Sequence, residues 1–213
     1  EINICLLFNN SFITLSISYM NRKYTDMNNI IRKIREYYPV SDDSLNILKS
    51  NFEEQVFPAR TIIIRAGYLD KKVYFIEKGI TRSYILYNGK EITTWFSAEG
   101  DATCGSWDLY RNKAGFEYVE TLEKTFTCSI FIETLNNLYK THIDIANWMR
   151  VLQQENFLQL QDIHISRLNL PAQKRYEKLV KDFPDICNRV NLGYIASFLG
   201  ITQPSLSRIR AKR

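Results

Sequence analysis

The sequence predicts an α+β chain: N-terminal helices, an antiparallel β-sandwich or small barrel, a long helix and a C-terminal helix–turn–helix unit. Three observations point there. Apolar residues recur at helical spacing between 27 and 53 and again from 132 onward. Between them lie at least six short β-branched and aromatic runs, parted by turn residues. Residues 192–210, LGYIASFLGITQPSLSRIR, then place apolar, small and turn residues where two short crossing helices need them.

The elements follow in chain order. From Ile2 to Asn21 no residue is charged, and 12 of the 20 positions are apolar. The other eight are Asn, Ser or Thr, and Arg22 and Lys23 follow the stretch rather than precede it. That order opposes a signal peptide, and that polarity opposes a membrane span. Residues 1–26 read as an appendage, and no membrane contact is expected. Ile30, Ile31, Ile34, Tyr37 and Tyr38 then mark a helix before Pro39. Ser41-Asp42-Asp43 offers a cap for a second helix over Leu45–Phe52.

The predicted strands are Thr61–Arg65, Val73–Glu77, Thr81–Tyr87, Glu91–Phe96, Tyr118–Leu122 and Phe126–Phe131. Asn88-Gly89 between two of them is a hairpin signal, because both turn positions must tolerate positive φ. Strands this short and this closely spaced make a sandwich or small barrel. A helix is expected from about Ile132 to Arg167, its apolar stripe running through Trp148, Leu152, Leu158, Ile165 and Leu168. Part of that stripe must pack on the β domain. The rest suits pairing with a second copy, and a plain core helix is the alternative. Pro171 ends the stretch, and a shorter helix over Ala172–Asp182 precedes Pro184.

At 213 residues, 45% hydrophobic and 24% charged, the chain has the composition of a folded protein. Cys5, Cys104, Cys128 and Cys187 stand far apart with no C-x-x-C pair, which opposes a zinc ribbon, a cysteine-held cluster or a disulfide framework. The only histidines, His142 and His164, fall in helical sequence, so a histidine-rich metal site is excluded and no metal or cofactor is expected. Enzyme is the weaker class.

Charge is unevenly placed. Residues 167–213 hold ten Lys or Arg against three acids, a net +7, and the rest of the chain carries −2. From Asn191 onward there is no acid. A basic end on a near-neutral body suits a nucleic-acid partner, although a solvated tail gives the same arithmetic. Within the helix–turn–helix pattern, Ile195, Leu199, Ile201, Leu206 and Ile209 fall at contact positions, Ala196 at the closest approach and Gly200 at the turn. Thr202 is placed to cap the second helix, and Pro204 sits where no intrahelical N–H is needed. That helix presents Gln203, Ser205, Ser207, Arg208, Arg210 and Lys212 outward. Arg208 suits guanine and Gln203 adenine, while Thr202, Ser205 and the basic end suit phosphates.

This combination resembles the cyclic-AMP receptor protein and fumarate–nitrate regulator (Crp/Fnr) family over roughly residues 30–213. The matching stretches are IIIRAGYLDKKVYFIEKGITRSYIL, AEGD and IASFLGITQPSLSRIR. The resemblance implies a cyclic-nucleotide-binding-like roll over 27–140, a dimerisation helix over 141–169 and a winged-helix-like DNA-binding unit over 170–213. It implies a cytoplasmic homodimeric transcription regulator on double-stranded DNA with a roughly palindromic operator. RNA polymerase and an unidentified small-molecule effector would be further partners. In that family a Gly-Glu pair and an Arg-Ser pair grip the cyclic nucleotide. The aligned positions here are Cys104 and Gly105, then Phe116 and Glu117, with Gly100 and Asp101 in the turn before them. Phe116 supplies no cation and Glu117 opposes an anion, so cyclic AMP is not the expected effector. Pro204 also departs from the family pattern, offering no donor at a base-reading position. The competing function is a ligand- or partner-binding roll without DNA regulation. A β-barrel metalloenzyme is disfavoured because neither histidine falls in a predicted strand.

Overall fold

The first helix, α1 (Asn28–Tyr37), follows from Ile30 and Ile34, four residues apart and both buried. The structure is a computed structural model that describes residues 27–211, so the expected appendage 1–26 and Lys212 lie outside the described residues. No side chain of its own caps α1; instead the Glu77 carboxylate accepts from the N–H groups of Asn29 (3.2 Å) and Ile30 (3.1 Å). A negative group from a distant strand thereby takes up free donors at the helix start. In α2 (Asp42–Asn51) Ser41 is the cap, accepting from Ser44 N–H at 3.2 Å. The helix therefore begins earlier than the expected Leu45, with Asp42 and Asp43 in its first turn, where carboxylates are favoured.

Eight strands form two antiparallel sheets. One runs in the order β1 (Glu53–Phe57), β8 (Thr125–Phe131), β3 (Lys72–Lys78), β6 (Ala102–Thr103). The other runs β2 (Ile62–Ile64), β7 (Glu117–Thr121), β4 (Thr81–Tyr87), β5 (Lys90–Ser97). Tyr87 faces Lys90 across the β4–β5 turn, where Asn88 (φ 49°) and Gly89 (φ 73°) both have the positive φ that the hairpin requires. Gly79, between β3 and β4, combines φ 116° with a close approach: a Cβ there would lie 2.6 Å from Thr125 Oγ1. Only glycine fits.

The sequence reading missed β1, β6 and two short helices, α3 (Ser106–Arg111) and α7 (Pro184–Arg189). The first of these begins Glu53-Glu54-Gln55, a polar start that continues the helical texture; its pairing with β8, from Glu53 opposite Ser129 to Phe57 opposite Thr125, makes it an edge strand.

The expected long helix is two helices, α4 (Ile132–Thr141) and α5 (Ile143–Asn169). His142 takes an extended conformation (φ −126°, ψ 91°) between them. Neither Pro nor Gly marks the break. What holds it is Asp144, in the first turn of α5, which accepts from Ser41 N–H (3.0 Å), Ser41 Oγ–H (2.9 Å) and Ser44 Oγ–H (2.8 Å). One carboxylate joins the starts of α2 and α5.

The C-terminal unit is helical: α6 (Ala172–Asp182), α7 (Pro184–Arg189), α8 (Leu192–Leu199) and α9 (Gln203–Ala211). Among the described residues no strand follows β8. Two apolar clusters organise the molecule. The first joins α1, α2 and the first half of α5 to one sheet, with Trp148 against Phe75 (ring centroids 5.5 Å apart). The second joins Ile80 and Phe96 of the roll to Tyr176, Leu179, Ile195, Phe198 and Leu206 of the C-terminal unit. The roll and the helix–turn–helix unit share that core.

The Asp144 junction carries a pH dependence. Burial pushes its carboxyl up, but the hydrogen bonds from Ser41, Ser44 and Ile145 outweigh that and hold it at about 2, below its ordinary 3.8. A depressed carboxyl stabilises the fold above the unfolded-state value and loses that effect as pH falls toward the folded-state value. Asp144→Asn should therefore lower the unfolding midpoint at neutral pH. The gap from the parent protein should close between about pH 4 and pH 2 in thermal melts.

Candidate nucleic-acid interface

The turn between α8 and α9 is built from backbone hydrogen bonds. Gly200 has φ 67°, its N–H meets Ser197 O at 3.0 Å, and Ile201 N–H meets Ala196 O at 3.0 Å. This is the left-handed glycine stop that closes the free carbonyls of a helix end. At the other end of α8, Asn191 accepts from Gly193 N–H at 2.7 Å. Thr202 accepts from Ser205 N–H at 3.3 Å and its carbonyl takes Leu206 N–H at 3.1 Å, which starts α9. Ile195, Ala196, Leu199 and Leu206 are buried, while Ile201 and Ile209 are partly so.

The other side of α9 faces outward. Thr202, Gln203, Pro204, Ser207, Arg208 and Arg210 are exposed and Ser205 is half-buried. Arg208 reaches only Ser205 Oγ, at 3.5 Å. Among the described residues neither Arg208 nor Arg210 forms an ion pair. The outcome is a row of hydroxyls, one amide and two free guanidinium groups along one helix face, with no carboxylate among them.

What orients that face is a set of residues the sequence reading did not single out. Arg82, on β4, has no exposed side-chain surface. Its guanidinium lies 3.7 Å from the ring centre of Tyr194 on α8 and 4.2 Å from that of Tyr84. It pairs with Glu91, and its Nε lies 3.3 Å from Glu120, whose side chain is 14% exposed. Beside it, Ser197 Oγ accepts from Thr93 N–H at 2.9 Å and donates to Glu91 O at 3.3 Å. Arg189 grips both oxygens of Glu99 (2.9 and 2.8 Å) and also pairs with Glu123. No local pattern in the strand TRSYILY distinguishes Arg82 from a surface cation; only the pairing of three strands and a helix does.

The expected effector residues do not form one site. Gly100 and Asp101 sit in a turn facing α1, where a Cβ on Gly100 would lie 2.9 Å from Lys33 Cβ. Burial pushes Asp101 up despite the Ala98 N–H and Lys33. Cys104, Gly105, Phe116 and Glu117 instead flank α3. The space a Cβ on Gly105 would occupy is taken by Asp108, whose Oδ2 is 2.2 Å away. Glu117 lies within 3.4 Å of Ser106 Oγ, and burial raises its carboxyl. Phe116 is 52% exposed, edge-on to Trp107 at 5.7 Å. Desolvation, with Glu117 and Asp108 nearby, pushes the Cys104 thiol up to about 12, so it is no thiolate at neutral pH. The surroundings of α3 are acidic and aromatic.

No protein-family model matches the chain, and no curated protein matches its sequence. Solved structures do. The c-di-GMP responsive global regulator CLP of Xanthomonas campestris matches with TM-score 0.66 at 15% identity, covering 81% of this chain and 91% of that one. FixK2 from Bradyrhizobium japonicum matches with TM-score 0.64 at 16% identity, over 76% and 83% of the two chains. A CooA variant from Carboxydothermus hydrogenoformans matches with TM-score 0.60 at 22% identity, over 81% and 85%. A roll of the cyclic-nucleotide-binding type, a long helix and a C-terminal helix–turn–helix define the architecture. The fold is that of the Crp/Fnr-type regulators.

Because Arg82 is buried against two acids and two rings, its loss is expected to be costly. Arg82→Met should lower stability by roughly 3 kcal/mol in denaturant unfolding, since it leaves Glu120 half-buried and unpaired. Adding Glu120→Gln should recover part of the loss.

Proposed function

We propose that this protein is a sequence-specific DNA-binding transcription regulator that works as a homodimer. The observation that carries the reading is the exposed, acid-free face of α9, held by a helix–turn–helix capped at both ends of α8 and at the start of α9. In this reading the N-terminal residues of α9 enter the major groove. Arg208 reads guanine through O6 and N7, Gln203 reads adenine, and Thr202, Ser205, Ser207, Arg210 and Lys212 hold phosphates. Pro204 is exposed but donates nothing, so its base pair is read by shape or contact alone.

The second half of α5 supports the dimer. Trp148, Met149 and Leu152 are buried on the roll, whereas Leu158 (53% exposed), Ile165 (50%) and Leu168 (70%) remain open along the helix. Their spacing of seven and three residues is a coiled-coil seam, which a second copy would cover. Two α9 helices about one DNA turn apart, ~34 Å, would then match a roughly palindromic operator. A DNA partner places the protein in the cytoplasm, and contact with RNA polymerase fits the same role. No catalytic role is assigned to any residue.

Cyclic AMP is not the effector in this reading. A cyclic nucleotide brings an anionic phosphate, and burying it without a cation is costly. Asp108, Phe116 and Glu117 stand where a cation is needed. Arg82 is already committed to Glu91 and Glu120.

Two measurements follow. In gel-shift titrations against a selected operator, Arg208→Ala should lose about 1–3 kcal/mol of discrimination at one guanine. Arg210→Ala should weaken specific and random DNA alike, with a shallower salt dependence. Equal losses on both DNAs for Arg208→Ala would reduce it to a phosphate contact. Calorimetric titration with cyclic AMP and cyclic GMP should show no binding, and operator affinity should be the same with either present. Micromolar heats would overturn that assignment.

A further inference from the structure

The acidic surroundings of α3 contrast with a cleft elsewhere. Between α5, α6 and α8 lies a cavity of about 410 Å³. A second, of about 220 Å³, shares Lys33, Gln159, Ile163 and Phe198 with it and reaches toward Tyr37 and Asp101. The size is that of a small-molecule site, and the position bridges α1 of the roll region and the helix–turn–helix unit.

Its charges do not balance. Lys178 bridges both acids of the wall, Asp162 at 2.8 Å and Asp182 at 3.0 Å. Arg167 and Arg175, also in the wall, have no carboxylate partner among the described residues. Arg167 donates to the Phe198 carbonyl and lies over the Phe198 ring, 5.4 Å from its centre. Arg175 donates from Nη1 to the carbonyls of Arg167 (3.2 Å) and Leu170 (3.4 Å), while its Nε is buried without a partner. Burial, and then the charge of Arg175, hold Arg167 below the ordinary guanidinium range. Two neighbouring like charges and an orphaned donor are what an incoming anion would relieve. The remaining wall is apolar, from Ile163, Leu179, Phe183 and Phe198.

We propose that this cleft binds a compact amphipathic organic anion, its head between Arg167 and Arg175 and its flat apolar body against Phe183 and Phe198. A bare inorganic anion would leave the apolar wall uncovered, and a cation would be repelled. A DNA phosphate would make no use of the two rings. The site is separate from the outer face of α9 and from the Phe116–Glu117 region. It does not depend on the protein binding DNA.

The test uses anilinonaphthalene sulfonate as the anionic probe and phenylnaphthylamine as its uncharged counterpart, titrated into the full chain and followed by fluorescence. One saturable site per chain is expected for the sulfonate. The uncharged probe should bind about tenfold more weakly, the scale of one lost charge-assisted hydrogen bond. Arg175→Met and Arg175→Gln should each weaken the sulfonate by about tenfold while leaving the uncharged probe unchanged, and Arg175→Lys should retain most of the affinity. Lys174→Met, on the exposed side of α6, should change nothing. Circular dichroism and the unfolding midpoint identify the variants that fold; if both charge-removing variants fail, the ratio of the two probes on the parent protein decides. Equal affinity for the two probes, unchanged sulfonate binding in a folded Arg175→Met or Arg175→Gln, or several equivalent sites would overturn the proposal.

Discussion

A guanidinium with no exposed surface cannot be left without compensation, and the arrangement around Arg82 follows from that constraint. Its charge is met by Glu91 and Glu120, and its two faces by Tyr84 and Tyr194. These groups come from β4, β5, β7 and α8. Satisfying one cation therefore fixes the pairing of three strands and the seat of the first helix of the helix–turn–helix. The apolar contact of Ile80 and Phe96 with Phe198 and Leu199 closes the same junction. Neither the polar nor the apolar part would hold this orientation alone, because the apolar contact has no direction and the ion pairs need water excluded.

The cations divide by what they face. Those at the junction with the roll are paired with its carboxylates, Arg82 with Glu91 and Glu120 and Arg189 with Glu99 and Glu123. Those on the outer face of α9, Arg208 and Arg210, meet none. A third group, Arg167 and Arg175, is turned into the cleft and meets carbonyls and the Phe198 ring but no carboxylate among the described residues. Sequence arithmetic counts Arg167, Arg175, Arg189, Arg208 and Arg210 alike in one net +7. Their partners show that only some of that charge is free for another molecule.

Much of the fold was legible because it is local. Asn88-Gly89 and Gly200 need positive φ, and both take it. Thr81–Tyr87 and Ala172–Asp182 begin and end where periodicity and turn residues place them. The break at His142 was not legible, since the residues that hold it, Ser41 and Ser44, lie about a hundred positions away. Glu53–Phe57 was missed for the same reason: its strand character comes from β8, not from its own polar start. The family resemblance grouped Cys104, Gly105, Phe116 and Glu117 with Gly100 and Asp101; the first four flank α3, whereas Gly100 and Asp101 face α1.

The sequence by itself determined the turns at Asn88-Gly89 and Gly200, the Ser41 and Thr202 caps and the outward face of α9, since each rests on contacts within a few residues. Tertiary structure alone decided which cations are spent and which are free, and that a cation-lined cleft lies beside the helix–turn–helix. The physical reason is that burial and ion pairing depend on what else arrives at the same place. For Arg82 that means Glu120 and Tyr194, which lie 38 and 112 residues further along the chain and no local pattern connects to it.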